Sequence, residues 1–268
     1  MAQHMAGPTR GGRCTMSLTN RRARIIEQLE RAGSVSVPEL VSLFEVSEMT
    51  IRRDLADLED QGMLRRYRGG AVWDRQRNLV PPYAQRKARN SAEKRRIGAA
   101  AARLISPGET LAIDYGTTAI EAARHLTSTP GLTVLTPDIH VALELVESPT
   151  VKVIVTGGVL RPGELMLTGR DTERTFERHF VDKAIIGSGG IDADRGLTDF
   201  NIDEIAVKQA MISSVRHVIA VADASKLGVV AFSSLADFNA IDTLVTTADP
   251  RDPTLCKVAE HGVEIVLA

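Results

Sequence analysis

From residue 93 to the C-terminus the chain repeats one pattern: a short apolar run, a segment of helical character, then another run. The runs are Leu111-Ala112-Ile113, Leu132-Thr133-Val134-Leu135, Val151-Lys152-Val153-Ile154-Val155, Ala184-Ile185-Ile186, His217-Val218-Ile219-Ala220-Val221, Thr243-Leu244-Val245 and Val263-Glu264-Ile265-Val266. Strands that are apolar at nearly every position are buried on both faces, and strands separated by helices pair in parallel. The pattern predicts an α/β domain over 93–268 built on a mostly parallel sheet. It holds no convincing internal repeat and no low-complexity tract.

The front of the chain follows a different rule. A helix is predicted over 19–32, capped by Thr19 or Asn20, striped by Ile25, Ile26 and Leu29, and stopped by Gly33. Ser36-Val37-Pro38-Glu39 is a capping box with Pro in the first turn, so a second helix runs to about Phe44 and buries Leu40, Leu43 and Phe44. Ser47 caps a third helix ending at Gly62, with Ile51, Leu55 and Leu58 on one face. Leu64 to Val72 reads as a hairpin with Gly69-Gly70 in or beside its turn. Three short helices and a hairpin predict a winged helix-turn-helix over 19–72. Residues 1–18 (Gly, Pro, Thr and Arg, with no apolar core for export) are expected to be a disordered tail. Residues 73–92 are expected to be a basic linker, marked by Pro81-Pro82 and by Arg86, Lys87 and Arg89.

Net charge is −1, but its distribution is uneven. Residues 1–96 carry 19 basic and 11 acidic side chains, and the remainder 14 basic and 23 acidic. That asymmetry points to a polyanion-binding front joined to a domain of different purpose. Within 17–72 the count is nine of each sign, so the positive charge there is a local stripe. Few phosphate contacts per chain are available, and a homodimer or homotetramer is the expected remedy. Cys14 and Cys256 form neither a zinc pattern nor a disulfide framework, which fits a reducing cytoplasm. No apolar run reaches the ~18 residues of a membrane span. The six histidines are scattered, and neither metal nor cofactor is expected.

The third helix supplies the candidate reading surface. Met49 and Arg53 point away from the core, with Thr50 and Arg52 at the shoulders. Such a helix enters the major groove of double-stranded DNA, where Arg bonds guanine bidentately. Ser47 and Thr50 would meet phosphate at the helix N-terminus, and Arg65, Arg66 and Arg68 of the hairpin would meet backbone or minor groove. The bland alternative is a solvated face in which Arg52 and Arg53 pair with Asp57 and Glu59.

In the second domain Asp114-Tyr115-Gly116-Thr117-Thr118 follows a strand and opens a helix. Successive amides and two hydroxyls there would cradle an anion. Thr136, the pairs Gly157-Gly158 and Gly187 with Gly189, and Lys226 fall in further loops at strand C-termini, where open α/β sheets bind ligands. Lys226 would neutralise a phosphate or hydrogen-bond a sugar oxygen. Together these loops predict a site for a small phosphorylated ligand.

The run Ser-Glu-Met-Thr-Ile-Arg-Arg-Asp-Leu at 47–55, with Leu58-Glu59, Gly62 and the Arg-rich passage into Gly69-Gly70-Ala71, resembles the DeoR family of bacterial transcription regulators. The resemblance extends from about residue 20 to 250. It implies a sensor domain similar to ribose-5-phosphate isomerase and to CoA transferases. It also implies a repressor of a carbohydrate-metabolism operon, released or modulated by a phosphorylated sugar that it binds without turnover. Asp114 with Gly116 to Thr118, and Asp223 with Ser225 and Lys226, match the family's sensor motifs. Thr136-Pro137-Asp138 departs from the usual Thr-Asn-Ser: Pro137 removes a backbone donor, and Asp138 adds an acceptor that repels phosphate. Asp203, Glu204 and Lys208 match polar family positions, either lining the mouth or forming an exposed salt-bridged face. The alternative is a sugar-phosphate isomerase-like enzyme with an appended DNA-binding domain, using Lys226 with Asp114 or Asp192. No catalytic carboxylate sits beside that lysine in sequence, and the reading is a sensor rather than an enzyme.

Overall fold

A computed structural model of the chain describes residues 18–60, 64–72 and 83–268. The backbone divides into two units, 1–79 and 80–268. The first contains α1 (Leu18–Ala32), β1 (Ser34–Ser36), α2 (Val37–Phe44), α3 (Glu48–Asp60), β2 (Arg65–Tyr67) and β3 (Gly70–Val72). The strands form an antiparallel sheet in the order β1-β3-β2. This is a winged helix-turn-helix. The Ser36–Glu39 capping box starts α2 as its sequence dictates, and Glu45 ends it in the left-handed region at φ 53°. The predicted end of the third helix at Gly62 lies outside the described residues.

Ile25, Leu29, Leu40, Phe44, Ile51, Leu55 and Leu58 meet in one core, closed by Leu64 and Ala71 from the wing. Leu43 is not part of it and stands 45% exposed, because α2 turns Leu40 and Phe44 inward on a stripe that leaves Leu43 beside it. Likewise α1 already includes Thr19 and Asn20, so neither caps it. The wing depends on Gly70: a Cβ there would stand 2.2 Å from the Val35 carbonyl oxygen, inside the β1–β3 pairing.

One polar contact adds to this core. Asp54, on the inner face of α3, is almost wholly buried. Its carboxylate accepts from Arg21 Nε at 2.6 Å and from Arg22 Nε at 3.1 Å, and Arg22 also bonds Asp57. The sequence reading offered Asp57 to Arg52 and Arg53; the structure gives it to α1 instead.

The second unit contains α4 (Tyr83–Ala88), α5 (Ser91–Ala102), β4 (Thr110–Ile113), α6 (Ala119–Leu126), β5 (Leu132–Thr136), α7 (Ile139–Leu145), β6 (Val151–Val155), β7 (Val159–Arg161), β8 (Met166–Thr168), α8 (Arg170–Glu177), β9 (Val181–Gly187), β10 (Gly190–Asp192), β11 (Gly196–Asp199), α9 (Ile202–Ser213), β12 (Val215–Ala222), β13 (Ser233–Ala236), β14 (Thr243–Thr246), α10 (Pro253–Glu260) and β15 (Glu264–Leu267). The seven apolar runs are the seven strands of one sheet, ordered β15-β14-β12-β9-β4-β5-β6 and parallel throughout. Alternate residues face opposite sides, and both sides are covered. Leu111, Ile113, Ile185, Ile219 and Val221 pack under α5, α6 and α7. Ala112, Ala184, Ile186, Val218 and Ala220 pack under Phe176 of α8, Val207 and Met211 of α9, and Leu255 of α10. A β7–β8 hairpin and an antiparallel β10-β11-β13 sheet complete the unit.

Chain order reverses between β4 and β9. From β4 the chain steps outward through β5 to β6, then returns to β9 on the other side of β4 and continues to β15. Neighbouring loops diverge at such a point and leave a crevice beyond the strand C-termini. The predicted linker over 73–92 is shorter than expected at its far end: residues 83–88 are helical and α5 begins at Ser91, both inside the second unit.

Asp54→Ala leaves Arg21 buried without its carboxylate and is expected to destabilise the first unit by about 3 kcal/mol. Loss of hydrogen-exchange protection in α1 and α3 of the full chain measures it. Asp57→Ala, at a more exposed position, is expected to cost under about 1 kcal/mol in the same assay.

Candidate functional site

Two surfaces carry the chemistry, one in each unit. On the first, Ser47 caps α3: its Oγ accepts from the Thr50 amide at 3.2 Å and lies 2.8 Å from Thr50 Oγ1. Met49 is 80% exposed beyond that cap, and Arg52 and Arg53 are exposed one turn on. Arg52 reaches back to Glu48 at 2.6 Å, a solvent-exposed pair of the kind that contributes little. Arg53 makes no ion pair with a described residue. Arg66 is committed within the unit. Its Nε and backbone amide both donate to Glu59, at 2.6 and 2.8 Å, fastening the wing to α3. The backbone bond, then the side-chain bond, holds the Glu59 carboxyl below its usual range. Arg68 is exposed in the wing turn, and Arg65 opens β2. Met49, Arg53 and Arg68 are thus presented outward, whereas Ser47 and Arg66 are held by local bonds.

On the second unit the reversal point between β4 and β9 is organised around Lys208. Its ammonium, almost fully buried on α9, donates to Asp199 Oδ2 at 2.7 Å and to the Gly187 carbonyl at 2.8 Å. It also pairs with Asp114 Oδ2 at 3.1 Å and stands 4.4 Å over the Tyr115 ring. Burial pushes the Asp114 carboxyl up to about 6, against the pull of Lys208 and the Gly187 amide. Burial alone would lower Lys208, but the two carboxylates outweigh it and its affinity for the proton rises. The Tyr115 hydroxyl donates to Glu204, which also pairs with Arg161 of β7. Glu204 and Lys208 are therefore interior groups, not members of an exposed salt-bridged face.

Several loop residues read as ligand donors are engaged internally. The Gly116 amide donates to Asp138 Oδ2 at 3.3 Å, and the Gly187 amide to Asp114 at 3.0 Å. The Gly189 amide bonds the Thr198 carbonyl at 2.9 Å. Thr136 Oγ1 donates to the Ile113 carbonyl and accepts from the Asp138 amide. Gly157 accepts from Thr172 Oγ1, and a Cβ on Gly158 would stand 2.2 Å from that hydroxyl oxygen, so this pair packs against α8. Asp138 is the N-cap of α7, accepting from the His140 amide at 2.7 Å. Asp192 accepts two amides of its own turn, and Asp114 faces Lys208 rather than Lys226. The acid–base pairing of Lys226 with Asp114 or Asp192 is not assembled.

The remaining donors converge. Helix α6 opens at Thr118 without a side-chain cap, and the amides of Thr117 and Thr118 donate to no described residue. Thr117 Oγ1 touches the Arg86 carbonyl at 3.4 Å, and Lys94 Nζ donates to the same carbonyl. Lys226, on the turn after β12, lies 3.4 Å from the Gly189 carbonyl. Burial lowers the Lys94 ammonium to about 8 despite Asp223 nearby, with Lys226, Arg86 and Arg89 adding repulsion. Burial also lowers Lys226, against Asp223 and Asp199. Lys94 and Lys226, with Arg86 beside them paired to Glu164, thus form a cationic rim beside uncapped amides. Asp114 Oδ1 and Thr156 Oγ1 are buried near these strand ends with no hydrogen-bond partner among the described residues. Sequence reasoning missed Arg86 because it placed that residue in the linker, and Lys94 because it lies in a basic run before the first strand, where no motif ties it to the strand-end loops.

Residues 21–77 match the DeoR-like helix-turn-helix domain family, and residues 89–248 match the DeoR C terminal sensor domain family. The chain belongs to the DeoR family. It is 34% identical over 252 residues to the glycerol-3-phosphate regulon repressor of Escherichia coli K12, covering 94% of this chain and all of that protein. It is 33% identical over 243 residues to the transcriptional repressor GlcR of Bacillus subtilis, covering 91% and 93% of the two chains. Among solved structures, ribose 5-phosphate isomerase A of Methanocaldococcus jannaschii aligns with 13% identity and a TM-score of 0.39, over 52% of this chain and 55% of that one. As a DeoR-family protein the chain is a DNA-binding transcription regulator with an appended sensor. Among the described residues no helix is long and apolar enough to cross a membrane.

Lys208→Met removes the one cation between two buried carboxylates in this DeoR-family sensor. It is expected to destabilise the second unit by about 3–5 kcal/mol. Denaturant unfolding of the full chain, followed by hydrogen exchange in β4 and β9, tests this.

Proposed function

We propose that the chain is a cytoplasmic repressor of a carbohydrate-metabolism operon, binding its operator through α3 and the wing and modulated by a phosphorylated sugar or related metabolite held in the β4–β9 crevice. The observation that carries the reading is the cationic rim of Arg86, Lys94 and Lys226 around the uncapped start of α6, at the reversal point of a sheet joined in one chain to a winged helix. First-turn amides and buried cations favour a phosphate dianion. The chain's similarity to a glycerol-3-phosphate regulon repressor supports the same ligand class. Thr117, Thr118 and Lys226 are the sequence-derived residues assigned to the ligand, joined by Arg86 and Lys94. Asp114, Gly116, Thr136, Gly157, Gly158, Gly187 and Gly189 shape the crevice. The ligand is read as bound without turnover, since Lys226 is paired with neither Asp114 nor Asp192, the carboxylates an enzyme would need beside it.

Operator contact is assigned to Met49, Thr50, Arg52, Arg53 and Arg68, with Ser47, Arg65 and Arg66 supporting them. Reading heads of a homodimer or homotetramer would meet half-sites about 34–36 Å apart, or multiples of that spacing. For a ligand to release DNA it must bind the released state more tightly, because equal affinity shifts nothing.

The test is titration of phosphorylated sugars and glycerol 3-phosphate into an operator-binding assay. At least one is expected to change operator affinity, and no response to any of them overturns the reading. Arg53→Ala is expected to weaken operator binding by about 1–3 kcal/mol and relax specificity at one base pair, while Arg52→Ala, already paired to Glu48, loses less.

Ligand binding is also expected to depend on pH with a definite sign. Lys94 loses its charge as pH rises through about 8, whereas a phosphate monoester, with its second ionisation near pH 6, stays a dianion over that range. Affinity therefore falls above pH about 8, by at most about tenfold per pH unit for this one proton. Lys94→Arg keeps its charge and is expected to lessen the fall, leaving only the contribution of Lys226. Calorimetric titration across the pH range checks both.

A further inference from the structure

Just past the end of α8 the fold leaves an aromatic ring outside. Phe176 and Val181 are buried on either side of it, yet Phe180 is 89% exposed, more than any other large apolar side chain among the described residues. Its backbone is fixed from both directions. The His179 amide donates to the Phe176 carbonyl and the Val181 amide to the Ser214 carbonyl, each at 3.1 Å. The ring therefore stands in water on a pinned backbone, where its exposure is unfavourable.

A groove lies beside this knob. Ala206, Ala210 and Ser213, spaced i, i+4 and i+7 on α9, line an open cavity of about 370 Å³ together with Glu173 and Glu177 of α8, and Phe180 borders it. A cavity of about 150 Å³ takes a benzene ring, so a phenyl group fits here with room to spare. Knob and groove on one face make that face self-complementary: two copies related by a two-fold axis each offer a ring and a place for one.

The charges agree. Residues 170–178 carry three basic and three acidic side chains, in a unit whose residues 97–268 have an excess of nine acidic ones. Glu173 and Glu177 at the groove share one cation, Arg170. Arg174 and Arg178 are exposed and form no ion pair with a described residue. A second copy of the same face therefore brings free cations toward under-neutralised carboxylates, which a patch of one sign would not allow.

We propose that this face docks a second copy of the chain, each Phe180 entering the α8–α9 groove of the other. It gives the homo-oligomer of the proposed function its contact surface. A standard interface buries about 800 Å² per partner, so the exposed sides of α8 and α9 join the ring in the contact. Glu204 and Lys208 lie on the opposite side of α9 from Ala206, Ala210 and Ser213, so the helix that lines the groove also holds the sensor's centre.

The experiment compares the full chain as wild type, Phe180→Ser and Ser213→Arg. Both positions are exposed, so neither change disturbs the core. Light scattering and sedimentation over a concentration series read the mass, and hydrogen–deuterium exchange reads residues 173–180 and 206–214. The wild type is expected to be a dimer or tetramer, with those two segments more protected as concentration rises. Phe180→Ser takes two rings from each contact and is expected to weaken it at least about a hundredfold, halving the mass at working concentration. Ser213→Arg fills the groove and is expected to weaken the contact at least about tenfold. A wild-type oligomer whose mass and exchange pattern survive in both variants associates through another surface, which overturns the inference while the homo-oligomer stands. A wild type that is monomeric at every concentration overturns both.

Discussion

The Lys208 ammonium holds the sensor's centre together. Two carboxylates from different parts of the chain, Asp114 after β4 and Asp199 at the end of β11, meet in an interior where an unpaired charge costs several kcal/mol. Only a cation between them makes that meeting tolerable. Once placed, Lys208 fixes the Gly187 carbonyl, while Asp114 fixes the Gly187 amide, so both polar groups of the last β9 residue are pinned to the end of β4. The placement of the two strand ends at the sheet's reversal point follows from those bonds. The loops around it then have little freedom, which is why several of their glycines serve packing and not ligand contact.

The sensor's cations fall into two populations, and the difference decides what the crevice is for. Lys208 faces two carboxylates and a carbonyl and has nothing left to offer a ligand. Lys94 has its charge penalised by burial, with Asp223 compensating and three other cations opposing it. A group held that way gains from any added anion. Residues 97–268 carry an excess of nine acidic side chains, so the domain as a whole does not attract phosphate. On the proposed reading, recognition depends instead on the local rim, where burial lengthens the reach of each charge and salt screens it less than at the surface.

Much of this architecture is legible in the sequence. All seven strands of the large sheet fall on the seven apolar runs, because a strand covered on both faces leaves an uninterrupted hydrophobic signature. The capping box at Ser36 and the Ile51, Leu55 and Leu58 stripe read equally directly, each being a local rule. What escaped depends on distance along the chain. The β7–β8 and β10–β11 pairs are three or four residues long and carry no run to count. Asp54 and Lys208 look like surface charges until their partners, 33 and 9 residues away, close over them. Arg86 and Lys94 sit in a basic stretch, and a charge run does not disclose which of two adjoining domains it folds with.

The departure at Pro137-Asp138 bears on how such a ligand can be held. Asp138 turns its carboxylate to the first turn of α7 and to the Gly116 amide, with burial raising its proton affinity against those bonds. Pro137, lacking an amide, still gives its carbonyl to Leu167 and so anchors the hairpin that positions Glu164. The departure therefore takes the Gly116 amide out of the set of free donors, and on the proposed reading side chains would supply most of the grip. Backbone amides fix an oxygen's direction, whereas lysine is a point charge on a flexible stem. A rim of two lysines, one arginine and two helix-start amides discriminates by charge more than by shape. On the same reading, selectivity among phosphorylated sugars would come from deeper polar groups, such as Asp114 Oδ1 and Thr156 Oγ1, which are buried with no hydrogen-bond partner among the described residues.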